Sequence, residues 1–230
     1  MIRENVVRIN ERISEAYSKI KREPRQIVIV AVSKNRSVEE IKEAIEAGIT
    51  DIGENKVQEA LLKFNVLQAS QYAGRIKWHM VGHLQSNKAK DAVRIFDLIQ
   101  SVDSLHLAQE LNKQAAKLNK VQDILIEIKT SPEATKFGLK PEETIEVTEK
   151  ISKLANVRIN GLMTIAPLLG DAEKVRPYFR QLKELSEKVS GQLANRITGK
   201  LILSMGMTDD FEIAIEEGAD MVRIGRAIFE

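Results

Sequence analysis

Apolar residues recur every three or four positions at the start of the chain, at Ile2, Val6, Ile9, Ile13, Ala16, Tyr17 and Ile20. Such spacing lines one face of a helix, so the chain is expected to open with an amphipathic helix that Pro24 ends. The pattern changes at Gln26. Ile27 to Val32 form an apolar run without a polar break, as in a strand covered on both faces, which places a strand at 26–33. From there helical and strand patterns alternate. Ser37 with Glu40 three residues on is a capping box, and it opens a helix that Gly48 closes. Further strands are expected over 49–53, 76–81, 97–101, 123–129, 158–164, 200–204 and 220–224, with helices over 55–69, 85–95, 104–119, 141–154 and 171–190. Asn55, Asp103 or Ser104, and Asp209 with Glu212 supply helix N-caps, and Pro141 stands at a favoured first helical position.

Eight strand units alternating with helices in 230 residues predict an α/β fold, a (β/α)8 TIM barrel, formed as a single domain over 1–230 with an extra N-terminal helix. A doubly wound open sheet is the alternative. It would normally have fewer strands or carry a nucleotide loop, and the chain has neither GxGxxG nor the GxxxxGK phosphate loop. The segments AIEAGITDIGEN (Ala44 to Asn55) and AIEEGADMVRIGR (Ala214 to Arg226) both read as helix, glycine cap, short strand and glycine, in keeping with a repeated unit.

Composition narrows the function classes. Hydrophobic residues make up 43% of the chain, enough for a substantial core. The 35 basic and 33 acidic side chains are interleaved and leave a net charge of +2, which gives no footprint for nucleic acid. There is no cysteine, so disulfides, thiolate metal sites and cysteine nucleophiles are excluded. No apolar run approaches the ~20 residues that span a bilayer, and the charged start lacks a signal-peptide core. A cytoplasmic protein without membrane partners is expected.

Candidate chemistry gathers at predicted strand ends. Lys34 follows the apolar run of the first strand. An amine there is expected to be poorly solvated, which makes a nucleophilic lysine able to form a Schiff base; the ordinary reading is a surface lysine at a strand end. In a barrel, phosphate often binds the loops after strands seven and eight. Here these read SMGMTDD (Ser204 to Asp210) and IGRA (Ile224 to Ala227). Gly206 and Gly225 permit close approach of backbone amides, Ser204 and Thr208 add hydroxyls, Arg226 adds charge, and the helix after Asp209 offers its N-terminus. Ordinary glycine turns are the competing reading. Arg223, inside the eighth strand, needs a buried acceptor, either a carboxylate or a heterocyclic nitrogen of a ligand. His79 and His83 lie in WHMVGHLQSNK on a strand and its turn, not on a helix face, and no third ligand accompanies them, so no metal site is assigned. His79 is instead a candidate to stack on a planar ring. Asn55 sits at the right end of the barrel to touch a ligand. Thr135 to Gly138 form a loop after strand five with no role of their own, and nothing selects a catalytic triad or a carboxylate pair.

Taken together, AVSKN around Lys34, DIGENKVQE from Asp51, WHMVGHLQSNK from Trp78, GLMTIAP from Gly161, LSMGMTDDFEIAIEEGADMVRIG from Leu203 and the closing AIF resemble, in order along nearly the whole chain, the YggS/PROSC group of pyridoxal 5′-phosphate (PLP) homeostasis proteins. That group is similar to the N-terminal barrel of bacterial alanine racemase. The resemblance implies that Lys34 carries PLP as a Schiff base, that Asn55 and His79 lie by the cofactor, and that Ser204, Gly206, Gly225 and Arg226 form the phosphate cradle. Arg223 would face the pyridine nitrogen. Many members have Thr or Ser where this chain has Arg226, so a backbone contact is expected there rather than a hydroxyl. An arginine at the ring nitrogen leaves that nitrogen unprotonated and the ring a weaker electron sink. Racemisation also needs a second acid/base group, which in alanine racemase comes from a partner's C-terminal region; a chain ending at its eighth unit is expected to lack room for one. The resemblance thus implies PLP binding for intracellular vitamin B6 homeostasis, indirectly affecting amino-acid balance, with no catalytic residue assigned. PLP-dependent apoenzymes are the expected acceptors and a monomer the expected state. A PLP enzyme with weak amino-acid racemase activity is the alternative. A third reading is a barrel for another phosphorylated metabolite, with Lys34 as an aldolase-type lysine.

Overall fold

A computed structural model describes residues 1–21, 26–133, 136–197 and 199–230. Pro24 and Thr135 lie outside the described residues. Eight parallel strands close in chain order: β1 (Val28–Val32), β2 (Asp51–Glu54), β3 (Lys77–Met80), β4 (Leu98–Val102), β5 (Gln122–Glu127), β6 (Val157–Met163), β7 (Ile202–Ser204) and β8 (Met221–Ile224). Pairing of β8 with β1, with Val30 opposite Arg223, completes the (β/α)8 barrel.

Helices α2 (Val38–Glu46), α3 (Val57–Gln68), α4 (Ala89–Ile95), α5 (Leu105–Lys117), α6 (Thr144–Ile151), α7 (Arg176–Gln192) and α8 (Phe211–Glu217) follow successive strands, and α9 (Arg226–Phe229) follows β8. The capping box at Ser37 and Glu40 forms, and Ser104 accepts from Leu107 N–H at 3.2 Å to cap α5. The predicted helices at 85–95, 141–154 and 171–190 each begin with a 3-10 turn, at Ser86–Lys88, Pro141–Glu143 and Ala172–Val175.

Two expected caps are corrected. The chain stays extended through Lys56, so Lys56 and not Asn55 stands at the start of α3, and its side chain makes no cap. At α8 the cap position is Asp210, not Asp209; Asp210 turns back to accept from Met207 N–H at 2.6 Å, while Asp209 pairs with Arg226.

Period two sorts the strand residues into two cores. Ala31, Ile52, Met80, Ile99, Ile126, Leu162 and Val222 pack outward under the helices. Val30, Val81, Leu98, Leu125, Met163 and Met221 fill the barrel interior. The extra helix α1 (Ile2–Lys19) buries Ile2, Val6, Ile9, Ile13, Ala16 and Tyr17 and packs on α2, α8 and α9. With only four residues, α9 cannot cover the seam between β8 and β1, and α1 completes that cover.

Candidate functional site

The inward parity that buries Leu125 and Met221 also turns Glu127 and Arg223 into the interior, near the C-terminal ends of β5 and β8. Arg223 is 4% exposed. Its Nη1 donates to the Ser204 hydroxyl at 2.7 Å and its Nη2 to the Thr164 carbonyl at 2.7 Å. Burial lowers the guanidinium to about 10, against the pull of Asp210 and Glu127, so it remains charged at neutral pH.

Beyond Ser204 a chain of hydrogen bonds crosses the barrel. The Ser204 hydroxyl donates to Gln100 Oε1 at 2.6 Å, the Gln100 amide lies 2.9 Å from His79 Nδ1, and His79 Nε2 lies 2.8 Å from Asp51 Oδ1. A guanidinium only donates and a carboxylate only accepts. The direction of every link is therefore fixed from Arg223 to Asp51, and His79 carries its proton on Nε2. Burial would raise the Asp51 carboxyl, but hydrogen bonds from His79 and Thr50 outweigh it and hold it below the usual range.

His79 is 2% exposed, with both ring nitrogens engaged inside the barrel. Ser204 is fully buried, with its hydroxyl between Gln100 and Arg223. His83 stands apart, 3.2 Å from Asp103 and stacked on Phe137 at 3.6 Å. Among the described residues no cluster of His, Cys, Asp or Glu is arranged to hold a metal.

Lys34 differs from its expected setting. β1 ends at Val32, and Lys34 sits on the tip of a turn closed by Arg36 N–H to the Ser33 carbonyl at 3.0 Å. The residue is exposed, so the expectation of a poorly solvated amine is corrected. Asn35 takes the left-handed conformation (φ 59°) at the third position of this turn, where Asn or Gly is favoured.

The glycines place backbone close to the same end. Gly206 has φ +92°, and a Cβ there would come within 2.6 Å of the Ala214 Cβ and 2.9 Å of the Phe211 Cα. A Cβ on Gly225 would lie 3.3 Å from the Val32 carbonyl, so β8 leaves the barrel against the end of β1, two residues before Lys34. The Arg226 guanidinium points away to Asp209 in solvent. Asn55 is half-buried, and its Oδ1 is buried without a hydrogen-bond partner.

Lys34, Arg223, Ser204, Gly206 and Gly225 therefore lie on the neighbouring strand ends of β7, β8 and β1. Gln100 and Glu127 were not singled out from the sequence. Burial pushes the Glu127 carboxyl up to about 7, with Asp103 raising it further and Arg223 opposing, and its Oε2 has no partner. The available signal was a polar residue at an inward position of an otherwise apolar strand.

Residues 5–230 match the family model described as alanine racemase, N-terminal domain. A pyridoxal phosphate homeostasis protein of Aquifex aeolicus is 42% identical over 226 residues, covering 98% of this chain and 96% of the relative. The structure of PipY from Synechococcus elongatus with PLP bound is 35% identical, with a TM-score of 0.86 and full coverage of both chains. An alanine racemase from Clostridium difficile is 18% identical with a TM-score of 0.72; it covers 99% of this chain and 58% of its own, and shares the fold. The chain belongs to the alanine racemase N-terminal domain family, among its pyridoxal phosphate homeostasis proteins.

Proposed function

We propose that this protein binds pyridoxal 5′-phosphate at the C-terminal mouth of the barrel, holds it covalently on Lys34, and serves cofactor homeostasis. The observation that carries the reading is the convergence of Lys34, a buried arginine and two glycine turns on β7, β8 and β1. The residues present fit the group. Among the described residues, Arg223 uses some of its N–H donors on Ser204 and Thr164, and the others have no acceptor. A pyridine nitrogen is an acceptor of the right kind. The loops after β7 and β8 carry Gly206 and Gly225, where amides suit a phosphate. Ser204 acts in this reading by orienting Arg223, and Arg226 acts through its backbone. Asn55 and His79 are assigned to the cofactor's surroundings, His79 through Gln100 and Ser204. When bound, the group supplies an aldehyde that condenses with an amine and releases water.

Homeostasis rather than turnover is supported by the name of the Aquifex relative and by Arg223, a charged donor that would leave a facing ring nitrogen unprotonated. Apoenzymes as acceptors, a monomeric state and a cytoplasmic location belong to the same reading. No helix among the described residues is long and apolar enough to cross a membrane.

Glu127 gives the alternative, a weak racemase, its one specific support: a buried acid with a value of about 7 is suited to proton transfer. Titration with PLP and with phosphate-free pyridoxal, followed by visible absorbance, tests the main reading. PLP should give a saturable band that is absent in Lys34→Ala and at least ~10-fold weaker in affinity with pyridoxal. Equal affinities would remove the phosphate cradle. Alanine racemisation at ordinary enzyme rates, lost in Glu127→Gln, would establish the alternative.

A further inference from the structure

A buried charged cluster lies behind Lys34, separate from the hydrogen-bonded chain inside the barrel. Lys63 on α3 is 7% exposed and Glu54 at the end of β2 is fully buried. The Lys63 ammonium donates to Glu54 Oε1 and Glu59 Oε1, each at 2.7 Å, and to the Ser33 carbonyl at 2.5 Å. The Ser33 hydroxyl donates to Glu54 Oε1 at 2.5 Å. On the far side of Lys34, Asn35 N–H donates to Glu59 Oε1 at 2.6 Å. The cluster thus grips the residues on both sides of Lys34 and leaves Lys34 itself untouched.

Such an arrangement is costly as scaffolding. Burying an ammonium against carboxylates carries a desolvation penalty, and apolar packing of the same volume often stabilises a fold as well or better. Burial raises the Glu54 carboxyl despite its bonds from Lys63 and Ser33. Asn35 suits the left-handed position of this turn, and the cluster adds a fixed acceptor, Glu59 Oε1, for its amide. What the polar cluster supplies, and an apolar one would not, is a set of directed bonds to the turn's hydroxyl, carbonyl and amide.

We infer that Glu54, Lys63 and Glu59 are positioning residues for Lys34, fixing the Ser33–Arg36 turn so that the lysine amine is presented for condensation with the cofactor aldehyde. The inference rests on the proposed role of Lys34. Glu59 is the member to test, since it is only partly buried and its loss leaves the Glu54–Lys63 pair intact. In Glu59→Ala, the Asn35 amide of the cofactor-free protein should exchange at least ~10-fold faster. Capture of PLP at saturation should slow by ~10-fold or more, as expected when a reacting group is misplaced. Glu59→Gln keeps an oxygen acceptor for Asn35 N–H and should restore both. The thermal midpoint of Glu59→Ala should stay within about 4 °C of the parent. Unchanged Asn35 exchange in Glu59→Ala overturns the inference, as does capture at the parental rate or equal slowing in both variants. If the parent protein forms no Lys34 adduct, the functional reading fails, and the exchange measurement still decides whether the cluster fixes the turn.

Discussion

At the scale of single residues, Glu127 is the group whose environment departs furthest from that of a free carboxyl in the barrel mouth. Burial favours its protonated form, with a value near 7 against 4.5 for the free group. At this site the folded state therefore binds more protons than the unfolded chain between those values, so the contribution of Glu127 to stability falls as pH rises across that window and levels off above it. The difference amounts to roughly 3 kcal/mol. Glu127→Gln has no proton to lose, so urea unfolding at pH 5 and pH 8 should show a smaller drop than in the parent, with the variant the more stable at pH 8. An unchanged pH dependence would mean that Glu127 is not held in its protonated form. Lys34, Arg223 and the two glycines were visible in the sequence because each breaks a local pattern at a strand end. The connections of Gln100, Glu127 and Lys63 were not. Period two shows that a polar side chain faces inward, but which groups meet across the barrel depends on strand tilt and register.

Among the elements, α1 shows how far a pattern carries. Its apolar stripe was plain, and the same residues are buried in the structure. Its position was not: nothing in a stripe says that the helix will lie over the gap left by the four-residue α9. Arg12 bonds Glu212 at 2.7 Å and sits over the Phe211 ring at 4.4 Å, and Asn5 Nδ2 donates to the Ile228 carbonyl at 3.0 Å. These tie α1 to α8 and α9. Ile9 is 2% exposed on this interface. Ile9→Ala should cost about 2–5 kcal/mol in denaturant unfolding. A loss below ~1 kcal/mol would mean that α1 is not part of the cooperative core. Helix starts were read less well than helices. Asn55 and Asp209 both have the side chain of an N-cap, but extended backbone through Lys56 and the pairing of Asp209 with Arg226 set them to other uses.

For the molecule as a whole, closure of the sheet is what turns distant segments into one site. Lys34 and Arg223 are separated by most of the chain, yet β1 pairs with β8 and the two strands leave the barrel side by side. The chain of donors from Arg223 to Asp51 joins strands β8, β7, β4, β3 and β2, and so ties the mouth to the interior through register alone. The barrel was legible from the alternation of patterns, and the family from motifs spread along the chain. The exposed setting of Lys34 was not, because the length of β1 is set by its neighbours. Borohydride reduction of the PLP-loaded protein, followed by peptide mass mapping, tests the proposed covalent anchor at Lys34. One pyridoxyl group on the peptide containing Lys34, absent from Lys34→Ala, is the predicted result. No adduct, or an adduct on another lysine that persists in Lys34→Ala, would contradict it.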